Sequence, residues 1–204
     1  MNSNIQMNKK AYDLIAKNYK DEHIKMEYED ELKKFKYYLP KNSKNILDLG
    51  CGPANETVWL GENIPNIQIT GIDLSFEMIQ LSKAIPSNVN LKVADMLSFL
   101  PTMSIQGIWA RASIHHLNKK QIFQLFKNIY SYLDKNGIIG MINKYGNVEK
   151  TEKKHKYGQL LERYFKYFDE ELVSEIIKQN GFKILEQYVK KNDHKWLVTF
   201  ITKQ

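Results

Sequence analysis

The chain is short of the residues that several classes of protein depend on. Its 204 residues include one cysteine, Cys51, so we expect no disulfide within the chain and a reducing, cytoplasmic compartment. No run of about 18 apolar residues occurs, and we therefore expect no membrane-spanning helix. Residues 1–10 are polar and lack the apolar core of a signal peptide. The histidine, cysteine and acidic residues show no metal-ligand spacing, so no metal is expected.

Arginine is equally scarce. The formal net charge is +7, yet of the 30 basic residues only Arg111 and Arg163 are arginine, and the lysines are scattered along the chain. A nucleic-acid-binding protein concentrates its positive charge in a patch or stripe, whereas scattered lysines are typical of a solvated surface. The composition therefore disfavours nucleic acid as a partner.

Strand and helix patterns alternate along most of the chain. Residues 8–39 have apolar side chains at helical spacing, and Pro40 ends that region. The predicted strands cover 45–49, 68–73, 89–94, 107–110, 138–142, 182–189 and 196–202, and the predicted helices cover 56–62, 75–84, 119–133 and 169–180. Residues 144–156 are polar and are predicted to form a loop. We expect Gly137 to provide a left-handed C-terminal cap after the helix over 119–133, and Asp169 and Gly181 to cap the two ends of the helix over 169–180. This order favours a parallel sheet covered on both faces, with the last two strands as an antiparallel hairpin.

The most informative segment is residues 46–53, which leads out of the first predicted strand. Gly50 and Gly52 allow a sharp turn and a close approach of the backbone to a ligand. Asp48 stands two residues before Gly50, where its negative charge repels a pyrophosphate. An acid here favours a ligand with a positive end, such as S-adenosylmethionine (SAM) with its ammonium and sulfonium groups. Cys51 is interpreted as a small residue that fills space in the loop rather than as a nucleophile.

Two more acids follow predicted strands. Asp73 ends the second strand, 21 residues after Gly52, and Asp95 ends the third. The carboxyl ends of parallel strands meet at one edge of the sheet, where ligands of this fold class bind. A carboxylate at Asp73 suits a ribose diol, and one at Asp95 suits an adenine amino group. A single acid after a strand often only caps the next helix, but three acids with a glycine loop predict a nucleoside site.

Five segments of the chain resemble the class I SAM-dependent methyltransferases. They are ILDLGCGPANET (46–57), TGIDLSFEMIQLSK (70–83), LKVADML (91–97), GIWARASIHHL (107–117) and LDKNGIIGMI (133–142). The resemblance implies an α/β fold with a Rossmann-like, doubly wound, seven-stranded sheet, in which six strands are parallel and the last is antiparallel. It also implies an N-terminal helical cap, which we place at residues 1–40, in the same domain as the SAM-binding residues 41–204.

The resemblance also implies which residues bind SAM. Asp48 and the loop serve the methionine end, Asp73 holds the ribose, Leu74 and Met96 enclose adenine, and Asp95 bonds its amino group. The predicted cofactor-binding residues are Tyr19, Asp48, Gly50, Cys51, Gly52, Asp73, Leu74, Asp95, Met96 and Arg111. The chain departs from part of the family at residues 109–112, where Trp-Ala-Arg-Ala replaces the NPPY-type motif of many DNA and amide methylases. This departure disfavours adenine or amide acceptors.

Methyl transfer depends mainly on alignment and a dry pocket, and it needs a base only when the nucleophile arrives protonated. His115 and His116 follow the fourth predicted strand and are the candidate catalytic bases. The alternative is that they start the next helix or bond the backbone. Tyr12 is predicted to line the substrate pocket and Tyr19 to close over the cofactor. The alternative for both tyrosines is packing in the core.

Four further positions are candidates for contacts with the acceptor or cofactor. Because the chain uses lysine almost everywhere, Arg111 and Arg163 suggest a need for a planar, two-pronged donor. We expect at least one of them to bind a carboxylate, on the substrate or on the methionine part of SAM. A structural ion pair is an equal alternative. Lys144 and Tyr145 end the fifth predicted strand and are predicted to face the substrate.

Three functions remain open at this point. The first is a SAM-dependent methyltransferase that acts on a small-molecule acceptor by in-line displacement, as a monomer or homodimer without a membrane partner. The second is a tRNA methyltransferase, because residues 111–117 also resemble the corresponding stretch of wobble-uridine enzymes that esterify a carboxylate. The third is a non-catalytic SAM-binding protein. The motifs do not identify the acceptor atom.

Overall fold

The computed structural model describes residues 3–22, 28–82, 84–192 and 194–204. Its strands are β1 (Asn45–Leu49), β2 (Gln68–Asp73), β3 (Val89–Val93), β4 (Ile105–Arg111), β5 (Leu133–Lys144), β6 (Glu149–Lys156), β7 (Gln159–Lys166), β8 (Phe182–Lys191) and β9 (Lys195–Lys203). Its helices are α1 (Ser3–Glu22), α2 (Glu29–Tyr38), α3 (Asn55–Asn63), α4 (Phe76–Gln80), α5 (Lys119–Tyr132) and α6 (Glu170–Asn180).

The main sheet has seven strands in the order β3-β2-β1-β4-β5-β9-β8. The first five strands in this order, from β3 to β5, pair in parallel. Strand β9 is antiparallel to both of its neighbours, β5 and β8, so β8 runs in the same direction as the first five. The predicted sheet of six parallel strands with an antiparallel last strand is therefore confirmed. The strand order reverses between β1 and β4, and the crevice at their carboxyl ends is where open α/β sheets bind ligands.

Apolar side chains cover both faces of the sheet. One face packs against α5 and α6, and its core includes Leu47, Ile108 and Phe126. The opposite face packs against α2 and α3 around Ile46 and Trp109. The side chains alternate along β1, so neighbouring residues enter different cores. The central strands are consequently buried on both sides, as doubly wound sheets require.

The predicted helical region 8–39 forms two helices with different positions. Helix α2 buries Leu32 and Phe35 in the sheet core, where the Phe35 ring lies 5.4 Å from that of Trp109. Helix α1 begins at Ser3, earlier than predicted, and packs against α4 and β7. Residues 23–27 of the predicted region lie outside the described residues. Of the two helices, α1 is the one that reaches the edge where the strands end.

The prediction of a loop over residues 144–156 is wrong. Strand β6 occupies Glu149–Lys156 and pairs with β7 as an antiparallel hairpin outside the main sheet. Strand β6 is charged along its whole length, so it lacks the apolar alternation by which strands are recognised. Its partner β7 supplies the apolar side chains, because Leu161 and Phe165 are buried and anchor the hairpin against the body of the protein.

The ends of the helices show which local signals are reliable. The side chain of Asp169 accepts a hydrogen bond from Leu172 N at 2.9 Å, and Gly181 closes α6 with a φ of +71°, as the sequence predicts. Helix α5 instead ends at Tyr132, and the expected left-handed cap at Gly137 is wrong, because the chain enters β5 directly. None of the helices in the described ranges combines the length and apolar character that crossing a bilayer requires.

Candidate active site

A pocket of about 1070 Å³, counted out to its mouth, lies at the carboxyl ends of β1 to β4 and is covered by α1. The predicted site residues that line it are Tyr12, Asp48, Gly50, Cys51, Gly52, Asp73, Leu74, Asp95, Met96, Arg111 and His116. The sequence thus identified residues from five elements that the fold brings together.

The glycine loop after β1 is fixed by close backbone contacts. The amides of Gly50 and Cys51 donate to the Ile72 carbonyl at 2.8 and 3.0 Å. Gly50 has a φ of +75°, and a Cβ placed there would lie 2.4 Å from the Cβ of Ser113. Gly52 has a φ of +54° but open space where its Cβ would be. Gly50 is therefore required by packing and conformation together, and Gly52 by conformation.

Asp48 is buried beneath this loop. Its carboxylate accepts a hydrogen bond from Thr57 Oγ1 at 2.6 Å. Burial raises the pKa of Asp48 to about 7, and the negative charge of Glu56 adds to this, whereas the Thr57 hydrogen bond and Arg111 oppose it. Because the ionised Asp48 carboxylate is kept out of water, a cation that enters the pocket would stabilise this ionised form.

Asp73 bonds to the backbone of two segments that line the pocket, the glycine loop after β1 and the turn after β2. Its Oδ2 accepts from Gly52 N at 2.9 Å, and its Oδ1 accepts from Ser75 N at 2.8 Å. Burial raises the pKa of Asp73, and these two hydrogen bonds oppose the rise because they favour the ionised form. Asp13 of α1 reaches the same place, where it accepts from Ser75 Oγ at 2.5 Å. Helix α1 is therefore attached directly to the loop after β2.

The third acid lies beside two apolar side chains. Asp95 follows β3, and its Oδ1 accepts from Leu97 N at 2.9 Å. Leu74 and Met96 are partly buried and pack against the core cluster of the α5 and α6 face. An apolar surface next to a carboxylate matches a flat heterocycle that carries an amino group at its edge. Binding of adenine at this end of the pocket stays a prediction.

Arg111 lines the pocket and forms an ion pair with another residue of the protein. Its Nε donates to Glu56 Oε1, and its guanidinium lies 5.1 Å from the ring centroid of Tyr28. Both partners of the ion pair are largely buried. The structure thus contains the ion pair that was one of the two interpretations of Arg111. Direct contact between Arg111 and a ligand stays a prediction.

Tyr12 and His116 meet on the α1 side of the pocket. The Tyr12 hydroxyl lies 2.8 Å from His116 Nε2, and His116 Nδ1 lies 2.9 Å from the Tyr164 carbonyl oxygen. A carbonyl only accepts, so Nδ1 carries the proton and Nε2 accepts from the Tyr12 hydroxyl. Burial lowers the pKa of His116 to about 3, and the positive charges of Arg163 and Lys144 contribute to the fall. His116 is therefore neutral near pH 7.

His115 lies behind the pocket rather than in its lining. It is buried, and its Nδ1 accepts from the backbone amide of Lys144 at 3.3 Å. Its ring lies 5.5 Å from that of Phe165 and 6.0 Å from that of Trp196. Burial holds the pKa of His115 well below its usual range. The structure therefore places His115 in the backbone-bonding position that was the alternative to a catalytic one.

The predicted substrate residues are divided by the fold. Lys144 and Arg163 lie outside the pocket lining, next to the Phe165 ring that also contacts His116. Tyr145 points elsewhere, since its hydroxyl donates to Glu170 at 3.4 Å. Tyr19 belongs to α1, but its side chain is outside the described part of the chain. No group of three or more potential metal ligands occurs among the described histidine, cysteine and acidic residues.

Two asparagines that the sequence did not single out fasten α1 over the pocket. Asn8 Oδ1 accepts from Tyr164 N at 2.8 Å, and Asn8 Nδ2 donates to the carbonyls of Tyr164 and His116 at 3.2 and 3.3 Å. Asn4 Nδ2 donates to Gln121 Oε1 at 2.9 Å. Both asparagines are buried. Polar residues on a helix are normally interpreted as solvent-facing, so periodicity gives no signal for this role.

Comparison with known proteins agrees with the geometry. Residues 46–137 match the family model of a methyltransferase domain. Trans-aconitate 2-methyltransferase of Escherichia coli O139:H28 is 33% identical over 101 residues, a match that covers 50% of this chain and 39% of that protein. The chain thus matches well under half the length of this curated relative.

Solved structures share the fold over nearly the whole chain. DhpI, in its complex with SAH, has a TM-score of 0.75 at 15% identity, covering 97% of this chain and 96% of its own. An S-adenosylmethionine-dependent methyltransferase from Clostridium acetobutylicum ATCC 824 has a TM-score of 0.70 at 15% identity, covering 94% and 98%. The matched segment is therefore similar to a methyltransferase domain, and the chain has the fold of solved SAM-dependent methyltransferases.

Proposed function

We propose that this protein binds SAM in the pocket at the ends of β1 to β4 and transfers its methyl group to a small-molecule acceptor. The observation that carries the proposal is the meeting of three carboxylates, Asp48, Asp73 and Asp95, in one pocket bounded by the glycine loop. Each lies at or just after the carboxyl-terminal part of a different strand, so only the folded sheet brings them together. A cationic nucleoside uses all three, whereas the phosphates of a dinucleotide are repelled by them.

The residues present fit the parts of SAM. The Asp73 carboxylate accepts from the amides of Gly52 and Ser75, and with about four acceptor positions it retains capacity for ribose hydroxyls. Asp95, with Leu74 and Met96 beside it, supports binding of the adenine ring. Asp48 and the loop at Gly50 support binding of the methionine end. SAM, when bound, supplies a methyl group on a positively charged sulfur.

The contribution of the chain to the reaction is alignment and exclusion of water. Helix α1 covers the pocket and is tied to three different elements through Asn4, Asn8 and Asp13. Tyr12 projects from this helix into the pocket and contacts His116, which supports a role for it on the acceptor side. A pocket that is closed in this way strengthens electrostatic contacts and holds the reacting atoms in line.

The environment of the histidine pair does not favour the general-base role predicted for His115 and His116. A general base works best when its pKa is close to the working pH. Burial lowers the pKa of His116 to about 3, and that of His115 is also well below the usual range. The role supported for His116 is to orient the Tyr12 hydroxyl through its unprotonated Nε2. This environment favours an acceptor that reacts without losing a proton to either histidine.

The test is the formation of S-adenosylhomocysteine (SAH) from SAM by the purified protein. The protein is incubated with SAM and either a bacterial metabolite extract filtered free of macromolecules or total tRNA. We expect SAH to form with the metabolite fraction at least about 10-fold faster than with buffer, because a small acceptor fits the covered pocket. Turnover only with tRNA would favour the RNA enzyme, and equal slow turnover under all conditions would favour a non-catalytic SAM-binding protein.

A further inference from the structure

The hairpin of β6 and β7 presents one face to the active-site end of the protein. Cross-strand partners share a face, and the pairs are Phe165 with Lys150, Arg163 with Glu152, and Leu161 with Lys154. Leu161 and Phe165 are buried, so this face is directed toward the protein body. We call it the inner face. Charged side chains therefore lie next to buried apolar ones within a short distance of the pocket.

Two cations of this region converge on the ring of Phe165. Lys144 Nζ lies 3.9 Å from the ring centroid, and Arg163 Cζ lies 5.2 Å from it. The same ring lies 4.8 Å from that of His116, and Arg163 Cζ is 5.9 Å from the ring of Tyr12. Tyr12 and His116 line the pocket, so the two cations lie one side chain beyond it.

Positive charge exceeds negative charge on the inner face and around it, within the described residues 144–166. Glu152 is 2.8 Å from Lys150 Nζ and 3.9 Å from Lys144 Nζ, so one carboxylate is shared between two cations. Arg163 and Lys154 bring further positive charge to the same place. Burial lowers the pKa of Lys144, and Arg163, Lys150 and Lys154 contribute to the fall, whereas Glu152 opposes it. The protein itself thus compensates this charge only in part.

A half-buried cation beside others of the same sign is costly to maintain, and an anionic ligand offsets that cost. The guanidinium of Arg163 offers the planar donor geometry that matches a carboxylate, and Lys144 adds a point charge. The lack of an effective base points in the same direction, since an acceptor that is already ionised at neutral pH loses no proton on reacting. The surplus of positive charge and the weak histidine bases are separate observations, and an anionic acceptor explains both.

We propose that the methyl acceptor is a small organic carboxylate whose anionic group binds to Arg163 and Lys144 beside the Phe165 ring. The identification of this ligand as the acceptor rests on the proposed methyl transfer, whereas the carboxylate site itself can be tested alone. A small ligand is favoured over RNA because the Lys144 side chain is only 15% exposed. Polyanions bind best to open stripes of exposed lysine and arginine. Glu152 also disfavours a phosphate dianion, which carries more negative charge than one carboxylate group.

The experiment is calorimetric titration of the full chain with tricarballylate, inorganic phosphate and total tRNA, each with and without SAH. The variants are Arg163→Gln, Arg163→Lys and Lys144→Met. Lys153→Gln is the matched control, because Lys153 is on the opposite face of the same hairpin, 65% exposed and 3.5 Å from Glu162. The melting temperature and SAH affinity of every variant are measured alongside. SAH binding reports on the proposed cofactor site independently of the carboxylate site.

We expect tricarballylate to bind the wild type more tightly than phosphate does. Arg163→Gln and Lys144→Met should each weaken this binding by about 10-fold or more, which is the usual effect of losing a charge-assisted hydrogen bond. Arg163→Lys should have a smaller effect, and Lys153→Gln none, with SAH affinity unchanged throughout. If SAH fails to bind but the carboxylate results hold, the proposed function fails and the anion site stands.

The inference is overturned if tricarballylate does not bind the wild type at concentrations up to about 10 mM while SAH does. It is also overturned if Lys153→Gln weakens carboxylate binding as much as Arg163→Gln does, since the effect would then be one of general surface charge. Tighter binding of phosphate than of tricarballylate would assign the site to a different anion. Binding of tRNA that depends on Lys153 and Arg163 alike, without carboxylate binding, would assign the hairpin to RNA.

Discussion

Replacing Asp48 by asparagine is expected to make the ligand-free protein more stable above pH 7 and to weaken SAM binding by about 100-fold. The binding loss follows from removing the buried negative charge that we propose for the cationic end of SAM, an effect of roughly 2–5 kcal/mol for a desolvated charge pair. The gain in stability follows from the cost of keeping that charge out of water. Asparagine retains an oxygen that can accept from the Thr57 hydroxyl, so the local hydrogen bond survives.

The pH dependence of this effect has a definite sign. The pKa of Asp48 is about 7 in the folded protein, against 3.8 for an unperturbed aspartate. Between these values the folded state holds a proton that the unfolded state has lost, so the free energy of unfolding falls as the pH rises from about 4 to above 7. The difference amounts to about 4 kcal/mol at about 1.4 kcal/mol per pH unit. Asp48→Asn removes this dependence.

Urea denaturation at pH 5 and pH 8 measures the prediction for Asp48. The gap in stability between Asp48→Asn and the wild type should be larger at pH 8 than at pH 5 by a few kcal/mol. Glu62→Gln is the control, because Glu62 is an exposed acid of α3 and its replacement should leave the pH dependence unchanged. A gap that is the same at both pH values would contradict the buried, uncompensated state of Asp48.

Gly50→Ala is expected to destabilise the protein by about 2–4 kcal/mol, whereas Gly52→Ala should cost about 1 kcal/mol. Both glycines have a positive φ, so both substitutions introduce backbone strain. Only at Gly50 would the new Cβ also collide with Ser113, at 2.4 Å. The neighbouring chain after β4 would have to move, and Ser113 Oγ, which donates to the Leu49 carbonyl at 2.5 Å, would move with it.

A double-mutant cycle separates strain from collision at Gly50. In a Ser113→Gly background the obstructing atom is absent, so adding Gly50→Ala should then cost only the strain, about 1 kcal/mol. The free energy of unfolding of the four proteins gives the coupling between the two positions. Additive effects of Gly50→Ala and Ser113→Gly would show that the close approach of the two loops is not what Gly50 serves.

Local signals were sufficient for the sheet and for the residues that meet in the pocket at the ends of its strands. The segment of β1 is apolar because both of its faces are buried, and the glycine loop and the acids come at fixed places after their strands. Asp169 and Gly181 likewise mark the two ends of α6 through hydrogen bonds and backbone geometry within a few residues. At both ends of α6 the residue that carries the signal also makes the interaction that it predicts.

Tertiary contacts decided the features that the sequence did not reveal. Strand β6 has charged residues on both faces and exists because β7 pairs with it and buries Leu161 and Phe165. Helix α5 ends before Gly137 because Leu133 already pairs with Ile105 in the sheet. Neither interaction leaves a periodic pattern in the segment that it changes, so propensity and spacing predict a loop over 144–156 and a left-handed helix cap at Gly137.

The acceptor end of the site was the least predictable part for a related reason. His115 and His116 are neighbours, yet only His116 reaches the pocket, because adjacent residues in the short turn after β4 point in different directions. Arg163 and Lys144 come together through the ring of Phe165, which belongs to the hairpin that the sequence did not show. The sequence suggested the right residue types, and the packing of β7 decided which of them are near the pocket.

The most direct test of the central claim is one calorimetric comparison of SAM with NADH, at pH 7 and moderate salt. The claim is that Asp48, Asp73 and Asp95 make a pocket for a cationic nucleoside and against phosphates. The expected result is SAM binding with a Kd below about 100 µM and no detectable binding of NADH. Tighter binding of NADH than of SAM would contradict the claim.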